Sequence, residues 1–222
     1  MEKILVTSSG RYKVLKLIQY ISRFILLLAT HRRIRVTAHD RSRLQTLISQ
    51  CSLQRRILQL GNLYKPIKAL LHHPERAPVS KDWRGIASSL SGLVEDVSED
   101  AFTLAQLGWL PRRFAGWAIY ADRAWLLGLL LELHGWRADK MDVTRRKRLD
   151  RVMDQRPKSE QVRRRQELRE EEWWLDLDGV RAMCDAGQAW CDVFEVQVFD
   201  GFVVGCALTS SVLGLYRFVA KP

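Results

Sequence analysis

The sequence predicts an all-α fold: a membrane-associated helical bundle with an N-terminal amphipathic-helix region and a C-terminal transmembrane helix. Three observations carry that prediction. Apolar residues recur at steps of three and four through most of the chain, the period of helices that each hide one face. Residues 201–216, "GFVVGCALTSSVLGLY", contain no charged side chain. The net charge of +11 on 222 residues is concentrated at one end. Residues 1–72 hold fourteen Lys or Arg against Glu2 and Asp40, so this third carries +12 and the remainder −1. A charge so one-sided predicts a polyanionic partner, and anionic lipid and nucleic acid both qualify.

The first predicted helix covers 10–29, with a wide apolar face and a thin polar stripe of Tyr12, Lys16, Gln19 and Arg23. A basic turn follows at 31–43. The second predicted helix spans about 41–71 and contains "SLQRRILQLGNLYKPIKALL". Leu53, Ile57, Leu60, Tyr64, Ile67 and Leu71 recur there at steps of 4, 3, 4, 3 and 4 and form one narrow ridge. Arg56 and Lys68 flank the ridge, where long stems can lie on apolar surface while the charges stay wet. Arg55 stands on the opposite face, and Lys65 is the fourth basic residue of the stretch. Pro66 predicts a kink near Asn62. Such a helix packs into a bundle core or lies in a membrane interface with its basic side toward anionic lipid.

Residues 1–72 thus form a basic amphipathic-helix region, and residues 73–136 a helical hairpin open to membrane embedding. Within the hairpin, a helix over 86–108 is predicted to bury the line Leu90, Leu93, Val97, Ala101, Leu104 and Gly108. The next helix, about 112–136, is apolar nearly all round except for Asp122, Arg123 and Glu132. Charges there are costly in lipid unless paired or turned toward protein. Residues 137–172 are a charged connector with thirteen Lys or Arg and nine Asp or Glu. Residues 173–222 supply a last helix, 173–194, and the transmembrane segment. Arg217 can snorkel and lengthen the charge-free run to nineteen residues, within the span of a bilayer. Gly201 with Gly205, Ala207 with Ser211, and Ser210 with Gly214 repeat small residues at a spacing of four, which suits close helix packing in lipid and self-association into a homo-oligomer.

Nothing in the sequence points to an enzyme. There is no HExxH or related histidine spacing, no Gly-rich phosphate loop and no nucleophile elbow. "DLDG" at 176–179 lacks the other ligand positions of a calcium loop. The four cysteines form no CxxC pair, and Cys184 with Cys191 suits packing better than zinc. No catalytic residue, cofactor or metal is therefore expected.

Four segments carry a family likeness. "GRYKVLKLIQYISRFI" (10–25), "SLQRRILQLGNLYKPIKAL" (52–70), "RAWLLGLLLEL" (123–133) and "GCALTSSVLGLYRF" (205–218) resemble, in order and spacing, the peroxisomal biogenesis factor 11 (peroxin-11) family. The likeness spans nearly the whole chain. The long basic connector and a Trp-rich, less apolar stretch at 173–190 depart from it. The resemblance implies a protein of the peroxisomal membrane that elongates and divides peroxisomes. It implies that an amphipathic helix, matched here by 52–71, inserts into one leaflet and bends it. It also implies partnership with a dynamin-like GTPase and its membrane adaptor. On that reading the six ridge residues insert, and Arg55, Arg56, Lys65 and Lys68 bind anionic lipid. Gly201, Gly205, Ser210, Ser211 and Gly214 pack the transmembrane helix.

Two alternatives remain open at the level of sequence. One is a membrane pore for small metabolites, with Asp122 and Arg123 inside the bundle. The other is a basic nucleic-acid-binding helical protein. It leaves the C-terminal apolar run unexplained and offers few aromatics among the basic residues, so no nucleic acid is expected as a partner.

Overall fold

A computed structural model of the chain describes residues 7–31, 33–71, 79–152, 158–196 and 200–220. Every regular element among them is helical. Helix α1 (Ser8–Thr30) starts where the Thr7 hydroxyl accepts the Gly10 N–H at 3.1 Å. Helix α2 (Ala38–Gln59) starts at Thr37, whose hydroxyl accepts from the Asp40 N–H at 3.2 Å and donates to its carboxylate at 2.6 Å. Both caps satisfy amide groups that a first turn leaves open. Then follow α3 (Tyr64–Leu71), α4 (Val79–Gln106), a 3₁₀ turn (Arg112–Trp117), α5 (Ala118–Val152), α6 (Lys158–Phe194) and α7 (Asp200–Ala220).

The single helix expected over 41–71 is broken rather than kinked. Leu60 leaves the helical region at φ −52°, ψ 128°, and Gly61 takes φ +82°, a left-handed conformation that glycine adopts without cost. Pro66 falls in the first turn of α3, where a missing N–H forfeits no hydrogen bond. The glycine makes the break and the proline sits in the restart. The limits drawn at 136/137 and 172/173 fall inside α5 and α6, so the charged stretch continues both helices. Residues 72–78 and 153–157 lie outside the described residues.

The charged halves of α5 and α6 run antiparallel and are laced together. Arg146 bridges both carboxylate oxygens of Glu171, at 2.8 and 3.2 Å. Lys140 pairs with Asp176, Lys147 with Glu172, and Arg164 with Asp150 at 3.6 Å. Pairs this exposed contribute about 0–1 kcal/mol each, so they set register more than stability. Between them Val143 and Leu168 are fully buried. Nearer the bundle, Trp136 lies on Gly179 and donates its indole N–H to the Leu175 carbonyl at 2.9 Å.

The remaining contacts close a ring. Helix α1 packs on α2 and α7, α6 on α7 and α5, α5 on α4, and α4 on α2, with α3 lying outside on α4. Apolar packing is densest on the α5–α6 side, where Leu126 and Leu129 meet Ala186 and Ala189.

Gly179 is required by this packing. A Cβ there would stand 2.3 Å from the Trp136 ring, whereas a Cβ at Gly135 meets nothing within 4 Å. Gly179→Ala should cost about 1–3 kcal/mol by overpacking, and Gly135→Ala should be neutral or slightly stabilising. Thermal unfolding of the two purified variants in detergent checks the contrast.

Candidate functional site

The ring encloses a polar cavity of about 480 Å³. Its walls are polar faces of the surrounding helices. From α1 come Tyr12, Lys16, Gln19 and Arg23, the thin edge seen in the sequence. From α6 come Arg181, Asp185, Gln188 and Asp192, at helical steps of 4, 3 and 4. Helix α2 gives Arg55 and Arg56, α4 gives Glu95 and Glu99, α5 gives Asp122, and α7 gives Ser210 and Ser211.

One node joins three of these walls. Lys16 Nζ lies 3.1 Å from Asp185 and 3.3 Å from Ser210 Oγ, and Ser210 donates to the same carboxylate at 2.6 Å. Lys13 donates to the Gly214 carbonyl at 3.1 Å and lies over the Phe218 ring. Gln188 donates to the Tyr20 hydroxyl at 2.8 Å. Across the cavity, Arg56 approaches Glu99 at 4.0 Å and stacks on Phe102. Buried groups that would be costly alone are thus tied to partners. Burial first, and then the Glu99, Asp96 and Asp122 carboxylates, push the Glu95 pKa up to about 8.

The outside of the ring has the opposite character. On α4 the buried face includes Ser91, Ser98 and Thr103, while Leu90, Val94 and Val97 are exposed. Three members of the expected core line are exposed, Leu90 and Val97 on the outer face and Gly108 beyond the end of α4; Ala101 is buried as expected. On α1, Gln19 and Ser22 are buried and Ile18, Ile21 and Phe24 exposed. On α7, Ala207, Ser210, Ser211 and Gly214 are buried and Phe202, Val212, Tyr216 and Val219 exposed. Exposed apolar faces on these three helices around a polar interior are unfavourable in water and favourable in hydrocarbon. Two stretches, Arg112–Asp150 and Asp200–Ala220, are long and apolar enough to cross a membrane by length and composition. The 21 residues of α7 extend about 31 Å, close to the hydrocarbon thickness of a bilayer.

The ridge residues are divided by the break at Gly61. Ile57, Tyr64, Ile67 and Leu71 are exposed, Leu71 by 77 %, whereas Leu53 and Leu60 are half-buried. Lys65 and Lys68 are exposed beside them, with the Lys68 ammonium 5.9 Å from the Tyr64 ring centroid. Arg55 and Arg56, assigned to lipid with those lysines, instead line the cavity, because their face of α2 turns inward toward α1 and α4. Of the transmembrane small residues, Ser210, Ser211 and Gly214 pack inside the chain. Gly201 and Gly205 are half-buried, and open space surrounds the point where a Gly205 Cβ would stand. Asp122 lines the cavity as the pore alternative expects, but Arg123 is exposed. The polar ridge of α6 was missed in the sequence. Its signal was present as polar residues at helical spacing between Ala182, Ala186 and Ala189.

The model of one family, described as peroxisomal biogenesis factor 11 (PEX11), matches residues 1–219. No curated protein and no solved structure gives a match.

Glu95 makes stability pH-dependent in a stated direction. Its folded pKa of about 8 exceeds the ordinary 4.5, so between those values the folded chain keeps a proton that the unfolded chain has released. Stability from this group is full below pH 4.5, falls as pH rises toward 8, and levels off above. The total is on the order of a few kcal/mol. Glu95→Gln should flatten that decline in a thermal-midpoint series from pH 4.5 to 9; an unchanged slope would show that Glu95 is ionised in the fold.

Proposed function

The chain belongs to the peroxisomal biogenesis factor 11 family and is a peroxisomal membrane protein of peroxisome biogenesis, and on that premise we propose that it elongates and divides the membrane by wedging the outer face of α3, with Ile57 of α2, into one leaflet. One observation carries this reading. Tyr64, Ile67 and Leu71 are exposed on a short helix that holds the bundle through Pro66, next to exposed Lys65 and Lys68. A free-standing apolar face beside basic side chains suits an anionic membrane surface. Each partly buried apolar side chain contributes about 1 kcal/mol on insertion, and each lysine near an anionic surface about 1 kcal/mol. Many copies wedged into one leaflet bend it, and the elongated membrane is the substrate for a dynamin-like GTPase recruited with its adaptor. The open face of α7 around Gly205 suits self-association, which raises the local density of wedges.

A second reading, a pore for small metabolites, is favoured by the polar cavity between the two candidate spans. Steady single-channel conductance of the pure protein in a planar bilayer would support it.

The curvature reading is tested with the full chain in liposomes. Ile67→Asp with Leu71→Asp changes only exposed positions, so the thermal midpoint should hold while liposome tubulation is lost. Lys65→Ala with Lys68→Ala should leave tubulation intact at high anionic lipid content. It should weaken membrane engagement by about thirty-fold at low ionic strength, and the difference should shrink as salt rises. In cells lacking the native protein, the Asp variant should reach peroxisomes yet leave them few and enlarged. Normal tubulation by a folded Asp variant would contradict the wedge.

A further inference from the structure

Arg55 differs from three of the other cations around the cavity. Lys16 faces Asp185, Arg56 faces Glu99, and Arg181 faces Glu132 at 2.6 Å. The Arg55 guanidinium instead donates to neutral groups, the Gln19 amide oxygen at 2.7 Å and the Tyr12 hydroxyl at 2.8 Å, and stacks on the Tyr12 ring. Among the described residues no carboxylate stands at ion-pair distance from it, and its Nε–H is buried without an acceptor. A desolvated cation whose hydrogen-bond acceptors are all neutral, with the Glu99 carboxylate acting on it only from beyond ion-pair distance, is held at a cost that a bound anion would offset.

A second open group lies close by. Gln188 Oε1 is buried without a donor, while its Nε2 donates to the Tyr20 hydroxyl. Tyr20 follows Gln19, an Arg55 acceptor, on α1. An unused donor on a cation and an unused acceptor on an amide therefore belong to side chains that line the same cavity. They match a group that presents a charged oxygen and a hydroxyl hydrogen on neighbouring atoms. The monoanion of a phosphate monoester does this on a single phosphorus, and guanidinium forks suit phosphate oxygens.

We propose that the cavity is a binding site for a phosphate monoester, with Arg55 as its anion-binding residue and Gln188 accepting the phosphate hydroxyl. The volume of about 480 Å³ lies within the range of small-molecule sites and admits more than the phosphate alone. Arg23, on the same α1 stripe, adds positive potential, while Lys16 is already paired with Asp185. The phosphate comes either from a soluble metabolite or from a monoester lipid headgroup such as that of phosphatidic acid. The site is independent of the curvature reading, whose apolar wedge lies on the outside of the ring.

The test uses the full chain in nanodiscs of phosphatidylcholine alone. Glycerol 3-phosphate is titrated by calorimetry, with the thermal midpoint followed in parallel. A second set of discs contains phosphatidic acid and no soluble phosphate. Saturable binding or stabilisation in the first arm identifies a soluble ligand, and stabilisation confined to the second identifies a headgroup; either supports the site. Arg55→Lys keeps the charge but loses the fork and should weaken binding by about ten-fold or more. Arg55→Met should abolish the ligand-induced shift; it also leaves the Gln19 oxygen and the Tyr12 hydroxyl without that donor, so the ligand-free midpoint falls in either case and the readout is the shift on adding ligand. No saturable effect in either arm, or an equal effect in the Arg55→Met protein, would overturn the proposal and leave a cavity filled by water.

Discussion

The fold depends on the node at which Lys16, Asp185 and Ser210 meet. Helix α1, near one end of the chain, and α6 and α7, near the other, are joined there by short polar contacts. Both charged side chains are largely shielded from solvent, at 15 % and 13 % exposure. Removing one partner would leave an uncompensated charge inside the ring, which costs about 3–5 kcal/mol. Once these polar stripes turn inward, the apolar faces of the same helices have no interior left to occupy. Leu90 and Val94 on α4, Ile21 and Phe24 on α1, and Val212 and Val219 on α7 must face out. The polar centre and the apolar exterior are one constraint, and a bilayer is the solvent that satisfies both.

The same division assigns work to different parts of the chain. The α5–α6 hairpin extends from the ring as a charged, laced pair suited to water. Helix α7 presents its outward apolar residues along a length that matches a bilayer. Helix α3 belongs to neither group. It leans on α4 through Pro66 and leaves most of its surface uncovered, which makes it the element freest to enter a leaflet without unpacking the bundle. Because Gly61 uncouples α3 from α2, such movement leaves Arg55 and Arg56 in place on the cavity wall.

Much of this was legible in the sequence, for reasons that can be named. The helical class followed from apolar spacing, and α7 from a charge-free run of sufficient length. The family likeness was carried by four ordered segments and agrees with the match over residues 1–219. What could not be read was orientation. A helix with one apolar and one polar face has the same periodicity whether its apolar side meets a protein core or lipid. The line through Leu90 and Val97 was therefore assigned to the core when those residues lie outside. Arg55 and Arg56 looked like lipid ligands because adjacent basic residues in an acid-poor segment usually face a polyanion. Their partners, Gln19, Tyr12 and Glu99, are 36, 43 and 43 positions away, beyond any local pattern. The break at Gly61 was masked by Pro66, the stronger local signal.

The central claim, that polar stripes face a common interior while apolar faces meet lipid, is tested most directly by site-directed spin labelling. In a cysteine-free background reconstituted in liposomes, single cysteines replace Val94 and Val212 on the outer faces of α4 and α7, and Ser98 and Ser210 on the inner faces. Collisions with oxygen, which concentrates in hydrocarbon, are compared with collisions with a water-soluble nickel chelate. The account predicts labels at Val94 and Val212 that are oxygen-accessible and nickel-protected, and restricted labels at Ser98 and Ser210. High nickel accessibility at Val94 and Val212, with oxygen-rich signals at Ser98 and Ser210, would contradict it.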